Sequence, residues 1–419
     1  MHASADSSQA ICQIAYEMTT KRQIYVVTFL VDAASGAFIF AVGRLLAEES
    51  VGLLSLGFVG AAAAAGWAIV ALPAGQLSDR SGRRFTALLG ASLLLISTVG
   101  AFAFQNFRGL FLAFYFFCGV GAGAFYAGLI PWLGDLDSGA SRKEKTRTLM
   151  IFCFAWNLGL LGGKAAAGLL FVVNAFAPIV LAVLLSGVAL ILLLRLPSDV
   201  RAPESELPPP PMIVDQRLSV AFGRMCWVAN IAGTCCVGIV MYLLSDLAVA
   251  LDVSAPGQGL ILGLMRVAVM VAYLAMHCSD FWQHRLTVII GARLLGLAGL
   301  AVVCVATGSL GLLIGLSCLG CMLGFNYFSS LYYATSGSSD CRRGRACAVV
   351  EFTVSLGVVI GTLLGGFAGV ALGFRAPYQM AFVIIVAMFI LELLVFLFYV
   401  APVHAAAKKR ILDTSNKNK

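Results

Sequence analysis

Twelve long apolar runs, separated only by short polar stretches, constrain this chain more than any other feature. They occupy residues 24–46, 51–74, 85–104, 109–132, 148–172, 177–196, 225–248, 260–277, 286–307, 310–333, 346–372 and 378–399. Each is close to the ~20 apolar residues that cross a bilayer. Hydrocarbon offers the backbone no hydrogen-bond partner, so a spanning segment is either a helix or a strand of a closed barrel. Barrel strands are about 10 residues long and alternate polar with apolar side chains, which these runs do not. The expected fold is an all-α polytopic membrane protein with twelve transmembrane helices. Composition agrees, since 60% of the 419 residues are hydrophobic and 11% are charged, against about 25% charged in soluble domains. A soluble chain of this size lacks the polar surface to cover so much apolar side chain.

Basic residues orient the runs. The most charged short stretch of the first third is Gly75-Gln76-Leu77-Ser78-Asp79-Arg80-Ser81-Gly82-Arg83-Arg84, which reads as a tight cationic turn between the second and third runs. The positive-inside rule makes its side cytoplasmic. With the amino terminus on that side, the external loops keep only Arg44, Arg108 and Arg375. Lys164, Arg266 and Arg293 lie within runs, and the rest of the 28 basic residues fall in cytoplasmic segments. Both termini are then cytoplasmic, and the expected location is a cytoplasmic (inner) membrane, crossed many times. The net charge of +8 is confined to short loops facing anionic lipid, so the lipid bilayer and no nucleic acid is the expected partner.

The longest connection, 197–223, contains Pro203, Glu204, Glu206 and the run Pro208–Pro211. Such a stretch acts as an extended, semi-rigid spacer. The expected organisation is a tail over 1–23, a six-helix bundle over 24–196, this linker over 197–223, a second six-helix bundle over 224–399 and a basic tail over 400–419. Residues 1–20 are mixed polar, so the first run reads as a retained helix and not as a cleaved leader. Most of the 12 cysteines lie inside apolar runs, where they are small packing residues, and Cys318 and Cys321 have no second pair. The four histidines form no ligand-spaced cluster. No metal, no cofactor and no enzymatic activity are expected.

The two halves repeat faintly. Ser78-Asp79 and Arg84 recur as Ser279-Asp280 and Arg285, and Gly119-x3-Gly123-x2-Tyr126 recurs at the same spacing as Gly320-x3-Gly324-x2-Tyr327. Gly159-x3-Gly163 recurs, three residues short of that spacing, as Gly357-x3-Gly361. Duplicated halves are typical of secondary transporters, whose substrate site lies near midplane between them.

The stretch Gly75-x-Leu77-Ser78-Asp79-Arg80-x-Gly82-Arg83-Arg84 resembles the loop motif between the second and third spans of the major facilitator superfamily. The likeness covers the whole chain: twelve spans, a long middle connection and a degraded second copy of the motif. It implies two pseudo-symmetric six-helix bundles facing each other around a central cavity, working by alternating access. It also implies that Gly75, Asp79, Arg80, Gly82, Arg83 and Arg84 latch the cytoplasmic ends of the second and eleventh spans in the outward-open state. Physically, Gly75 allows close approach of a neighbour, Gly82 permits a positive-φ turn, and Asp79 suits the positive end of a neighbouring helix. Glu351, about one turn into the eleventh span, is the expected latch partner of Arg80 or Arg83, with a proton site as the alternative. Phe116 stands where proton-linked members often carry arginine, and Lys164 where antiporter members often carry proline after Gly163. These departures point away from a proton-driven drug antiporter.

Polar groups within the membrane are costly and face a bundle interior or an aqueous cavity. The candidate substrate or coupling-ion contacts are therefore Asp32, Tyr126, Asn157, Lys164, Asn230, Arg266, Asn326 and Tyr327. Asp32 shares a polar stripe with Tyr25, Thr28 and Ser35. Lys164 shares a face with Asn157 and suits a carboxylate, a phosphate or a buried acid such as Asp32. Arg266 either faces the cavity or snorkels to external headgroups. Tyr126, Asn230, Asn326 and Tyr327 read nearly as well as interhelical hydrogen bonds. Arg293 and Glu392 are expected to be structural. The expected function is secondary transport of a small organic solute, anionic if Lys164 and Arg266 face the cavity, by a monomer. Energy comes from an ion gradient, carried by a proton or a sodium ion, or from the solute's own gradient. The alternatives are efflux of amphipathic compounds, suited to the aromatic-rich fourth span, and a transport-inactive sensor or assembly protein.

Overall fold

The computed structural model describes residues 2–48, 53–104, 108–137, 140–197, 214–253, 255–338 and 343–406. The Pro208–Pro211 run and the basic tail from Lys408 lie outside the described residues. Twelve α-helices follow one another: α1 (His2–Glu48), α2 (Leu53–Ser81), α3 (Arg83–Ala103), α4 (Arg108–Leu136), α5 (Arg142–Val173), α6 (Ala177–Arg195), α7 (Val214–Ala250), α8 (Ala255–Cys278), α9 (Leu286–Val305), α10 (Ser309–Gly337), α11 (Arg343–Leu372) and α12 (Ala376–Val395). Each is long and apolar enough to cross a membrane, and no strand occurs among the described residues.

The helices outrun the apolar stretches at one end. The second apolar run stops at Ala74, but α2 continues to Ser81 and α3 begins at Arg83. The expected ten-residue turn is therefore a helix end and a single hinge residue, Gly82, with φ of 112°. The physical reason is simple. Hydrophobicity measures the hydrocarbon slab, whereas Gln, Ser and Arg leave the slab without leaving the helix, because their backbone bonds are intrahelical. The same holds at the start of α5, which opens at Arg142 with Ser141 as N-cap and Glu144 closing a capping box.

Within the first six helices, α1 lies against α5 and α6, and α4 against α2 and α3. Within the last six, α7 lies against α10, α11 and α12, and α10 against α8 and α9. The repeated glycines make the equivalent contacts in each set. Gly119 meets the Ala63 backbone of α2, and a Cβ at Gly320 would stand 2.5 Å from the Met265 carbonyl oxygen of α8. Gly163 meets the Ala33 backbone of α1, and Gly361 the Cys235 backbone of α7. Small residues let helix backbones touch where lipid supplies no hydrophobic drive. The outer faces stay apolar: Ile69, Leu169, Val172 and Phe398 are exposed, as lipid-facing residues should be. The two sets meet chiefly along α2 with α11, and also along α4 with α11 and α5 with α8.

Candidate functional site

The α2–α11 contact is anchored at the end that carries the cationic motif. A Cβ at Gly75 would stand 2.9 Å from the Gly344 carbonyl oxygen, so only glycine permits this approach. Asp79 accepts from the Gly344 and Arg345 backbone amides, each at 3.0 Å. These are orphan donors of the first turn of α11, where the helix dipole favours a carboxylate. Arg83 is buried; it pairs with Asp79 and donates to Asp135 at 2.8 Å. Arg84 donates to the Leu194 carbonyl at the end of α6 at 2.6 Å, while Arg80 is exposed. At the same end, Lys21 of α1 pairs with Asp137 at 2.6 Å, and Thr146 of α5 meets His277 of α8 at 3.2 Å.

Deeper in, the helices bring together a polar, aromatic cluster. Tyr126 of α4 donates to the Asp32 carboxylate of α1, and Trp67 of α2 stacks flat on the Tyr126 ring at 5.3 Å. Tyr327 of α10, the repeat partner of Tyr126, donates to Glu351 of α11 at 3.1 Å. Trp156 of α5 sets its edge against Tyr327 at 5.4 Å, joining the first set of helices to the second. Asn157 is fully buried and its amide lies 3.5 Å from the Tyr273 hydroxyl of α8. The Arg266 guanidinium of α8 reaches Asn157 Oδ1 at 3.5 Å and lies 5.8 Å over the Trp156 ring.

One step further from the motif end, two cations converge. Lys164 Nζ of α5 lies 3.4 Å from Met241 Sδ of α7, and Arg266 Nη2 lies 3.6 Å from the same sulfur. The two charges are thus at most about 7 Å apart, which costs ~2 kcal/mol of repulsion at an effective dielectric near 20. Among the described residues neither has an ion-pair partner. Asp32 is the carboxylate whose field reaches Arg266, but its own hydrogen bond is to Tyr126. The group between these half-buried cations is a thioether sulfur, a weak and uncharged acceptor.

The sequence itself carries a family signature over most of this architecture: a model of the Major Facilitator Superfamily matches residues 24–340. The chain belongs to the major facilitator superfamily. Solved structures agree on the fold. The human organic anion transporter MFSD10 (TETRAN) superposes with a TM-score of 0.69 at 17% identity, covering 90% of this chain and 99% of that one. The nucleoside transporter NupG, solved as a point mutant, superposes with 0.66 at 13% identity, covering 90% and 100%. A search of curated protein sequences returns no match. As a superfamily member the chain is a multi-pass membrane transporter.

In this transporter the predicted residues divide into three groups. Asp32, Tyr126, Asn157, Lys164, Arg266 and Tyr327 meet around the contact between the two sets of helices. Arg266 points at α5 and α7, not along a snorkelling path to a membrane surface. Asn326 does not join them. It accepts from Arg293, whose guanidinium also makes a bidentate pair with Glu392 at 2.7 and 2.8 Å, so Asn326 completes a buried structural network of α9, α10 and α12. Asn230 is buried, and among the described residues its side-chain nitrogen has no hydrogen-bond partner. Glu351, expected as the latch partner of Arg80 or Arg83 with a proton site as the alternative, is fully buried and accepts from Tyr327. The acids that Arg83 meets are Asp79 and Asp135. Sequence reasoning missed Trp67, Trp156, Tyr273 and Met241 in the cluster, and Lys21, Asp135 and Asp137 at the motif end. The Asp135-Leu136-Asp137 pair of acids beside a cationic segment was a usable signal; a lone tryptophan in an apolar run was not.

Proposed function

We propose that this transporter moves a small organic anion across a cytoplasmic membrane by alternating access, with both termini on the cytoplasmic side. The observation that carries the reading is the Lys164–Arg266 pair: two cations from opposite sets of helices, with no carboxylate paired to either among the described residues, at the deep contact between those sets. Trp156 and Asn157 extend the same surface and suit the organic body and a polar substituent of the solute. The Asp79 clasp on α11 supports a latch that favours closure at the motif end. A pH gradient adds driving force in this reading if Asp32 carries a coupling proton.

Reconstitution into liposomes tests the proposal. Labelled mono- and dicarboxylates and inorganic phosphate are offered, with a neutral sugar as control. Uptake of at least one carboxylate that falls tenfold or more in Lys164→Ala and in Arg266→Ala supports it. Transport only of neutral or cationic amphiphiles, or no solute movement under any gradient, overturns it.

A further inference from the structure

The geometry of the cation pair points to a mode of transport beyond the class of solute: we propose that the protein is an obligatory anion exchanger, in which the empty carrier does not reorient at a useful rate. This rests on the reading of Lys164 and Arg266 as the anion site.

Lys164 comes from α5 and Arg266 from α8, and α5 and α8 belong to opposite sets of helices. Their charges meet only because the two sets close together at this level. Met241, from α7, is a group shared between them, and a thioether sulfur is a weak acceptor that carries no charge. Closing the contact without a ligand therefore drives two like charges toward each other inside a low-dielectric interior. An anion seated between them reverses the sign of that interaction and ties α5 to α8. The acids of the cluster do not replace it. Asp32 takes its hydrogen bond from Tyr126 and Glu351 from Tyr327, and among the described residues neither forms an ion pair with Lys164 or Arg266. A second contact between the sets lies close by, where the Tyr115 hydroxyl of α4 meets the Tyr242 hydroxyl of α7 at 3.2 Å. Tyr242 follows Met241 on α7, so both cross-set contacts are made by the same helix. Carriers that close only when loaded return only when loaded, and net uniport is then slow while one-for-one exchange is fast.

The experiment uses the full-length protein in liposomes with the membrane potential clamped. Initial uptake of labelled succinate, benzoate and inorganic phosphate is compared between vesicles preloaded with the same unlabelled anion and vesicles holding only mannitol and buffer. The expected result is uptake at least tenfold faster into the preloaded vesicles for the anion that is carried. Equal rates into loaded and unloaded vesicles overturn the exchange proposal while leaving the anion reading intact. Absence of uptake of every anion in both conditions defeats the anion reading itself. Lys164→Gln removes one charge of the pair: it is expected to weaken loaded exchange and to bring the loaded-to-unloaded ratio close to one. A ratio that stays tenfold or more in Lys164→Gln also overturns the proposal. The wild-type comparison stands whether or not that variant folds.

Discussion

At the scale of single residues, burial decides what a charge is for. Arg293 and Glu392 sit within the membrane-spanning part, but they satisfy each other through two parallel hydrogen bonds and leave Asn326 as a third member. Removing one partner strands a buried charge, at a cost of roughly 3–5 kcal/mol, whereas replacing both with apolar groups is close to neutral. Arg293→Ala and Glu392→Ala are each expected to lower the melting temperature in detergent sharply. The double variant Arg293→Met/Glu392→Leu is expected to melt above either single one. Lys164 and Arg266 are the opposite case, since among the described residues neither forms an ion pair. The tyrosine donors follow the same logic: Tyr126→Phe leaves the Asp32 carboxyl without its hydrogen bond, a loss of about 1–3 kcal/mol. Thermal melting of Tyr126→Phe against wild type checks this, and an unchanged midpoint contradicts it.

At the scale of elements, the two halves reuse one packing scheme but not one latch. Asp79 reaches across to the first turn of α11. Its counterpart Asp280 turns back on its own chain, accepting from Gln283 at 3.0 Å, while Ser279 accepts from the Phe281 amide. The corresponding helix, α5, has no need of a carboxylate from outside, because Ser141 and Glu144 cap it from within. N-terminal caps contribute about 0.5–2 kcal/mol, so only one of the two clasps holds the sets of helices together. Cys347, buried one turn into α11, reports on it. In a variant with Cys347 as its only cysteine, Asp79→Ala is expected to speed maleimide labelling severalfold, and Asp280→Ala to leave the rate unchanged. Equal effects of the two substitutions sink the asymmetric latch. The glycine contacts act at this scale as well. Gly361→Val puts a side chain into the Cys235 backbone, and an overpacked contact costs at least about 1–3 kcal/mol, visible as loss of monodisperse protein on size exclusion.

At the scale of the whole molecule, the proposed orientation puts the motif end of the bundle on the cytoplasmic side. Cys278 is exposed at the last residue of α8, on the side of the α5–α8 contact made by Thr146 and His277. With Cys278 as the only cysteine, a membrane-impermeant maleimide is expected to label it in inside-out vesicles and not in intact cells. The reverse pattern overturns the orientation.

Twelve spans, their helical character, the family and the duplicated glycines were legible in the chain as written, because each is a one-dimensional signal. Slab-crossing length, charge in loops and recurrence at a constant spacing require no knowledge of what touches what. The extent of the helices was legible only in part, since a helix leaving the membrane keeps its backbone bonds when its side chains turn polar, as α2 does up to Ser81. The partners of the buried charges were not legible at all. Glu351 reads as a latch acid from its depth, yet it accepts from Tyr327, and Asn326 reads as a cavity residue, yet it belongs to Arg293. Which of two nearby acids or amides a charge meets depends on helix rotation and tilt of a few ångströms, and no spacing rule carries that. The most specific motif in the sequence, around Asp79, accepts hydrogen bonds from the first turn of α11. The meeting of Lys164 with Arg266, on which the proposed cargo depends, arises only from the way α5 and α8 face each other.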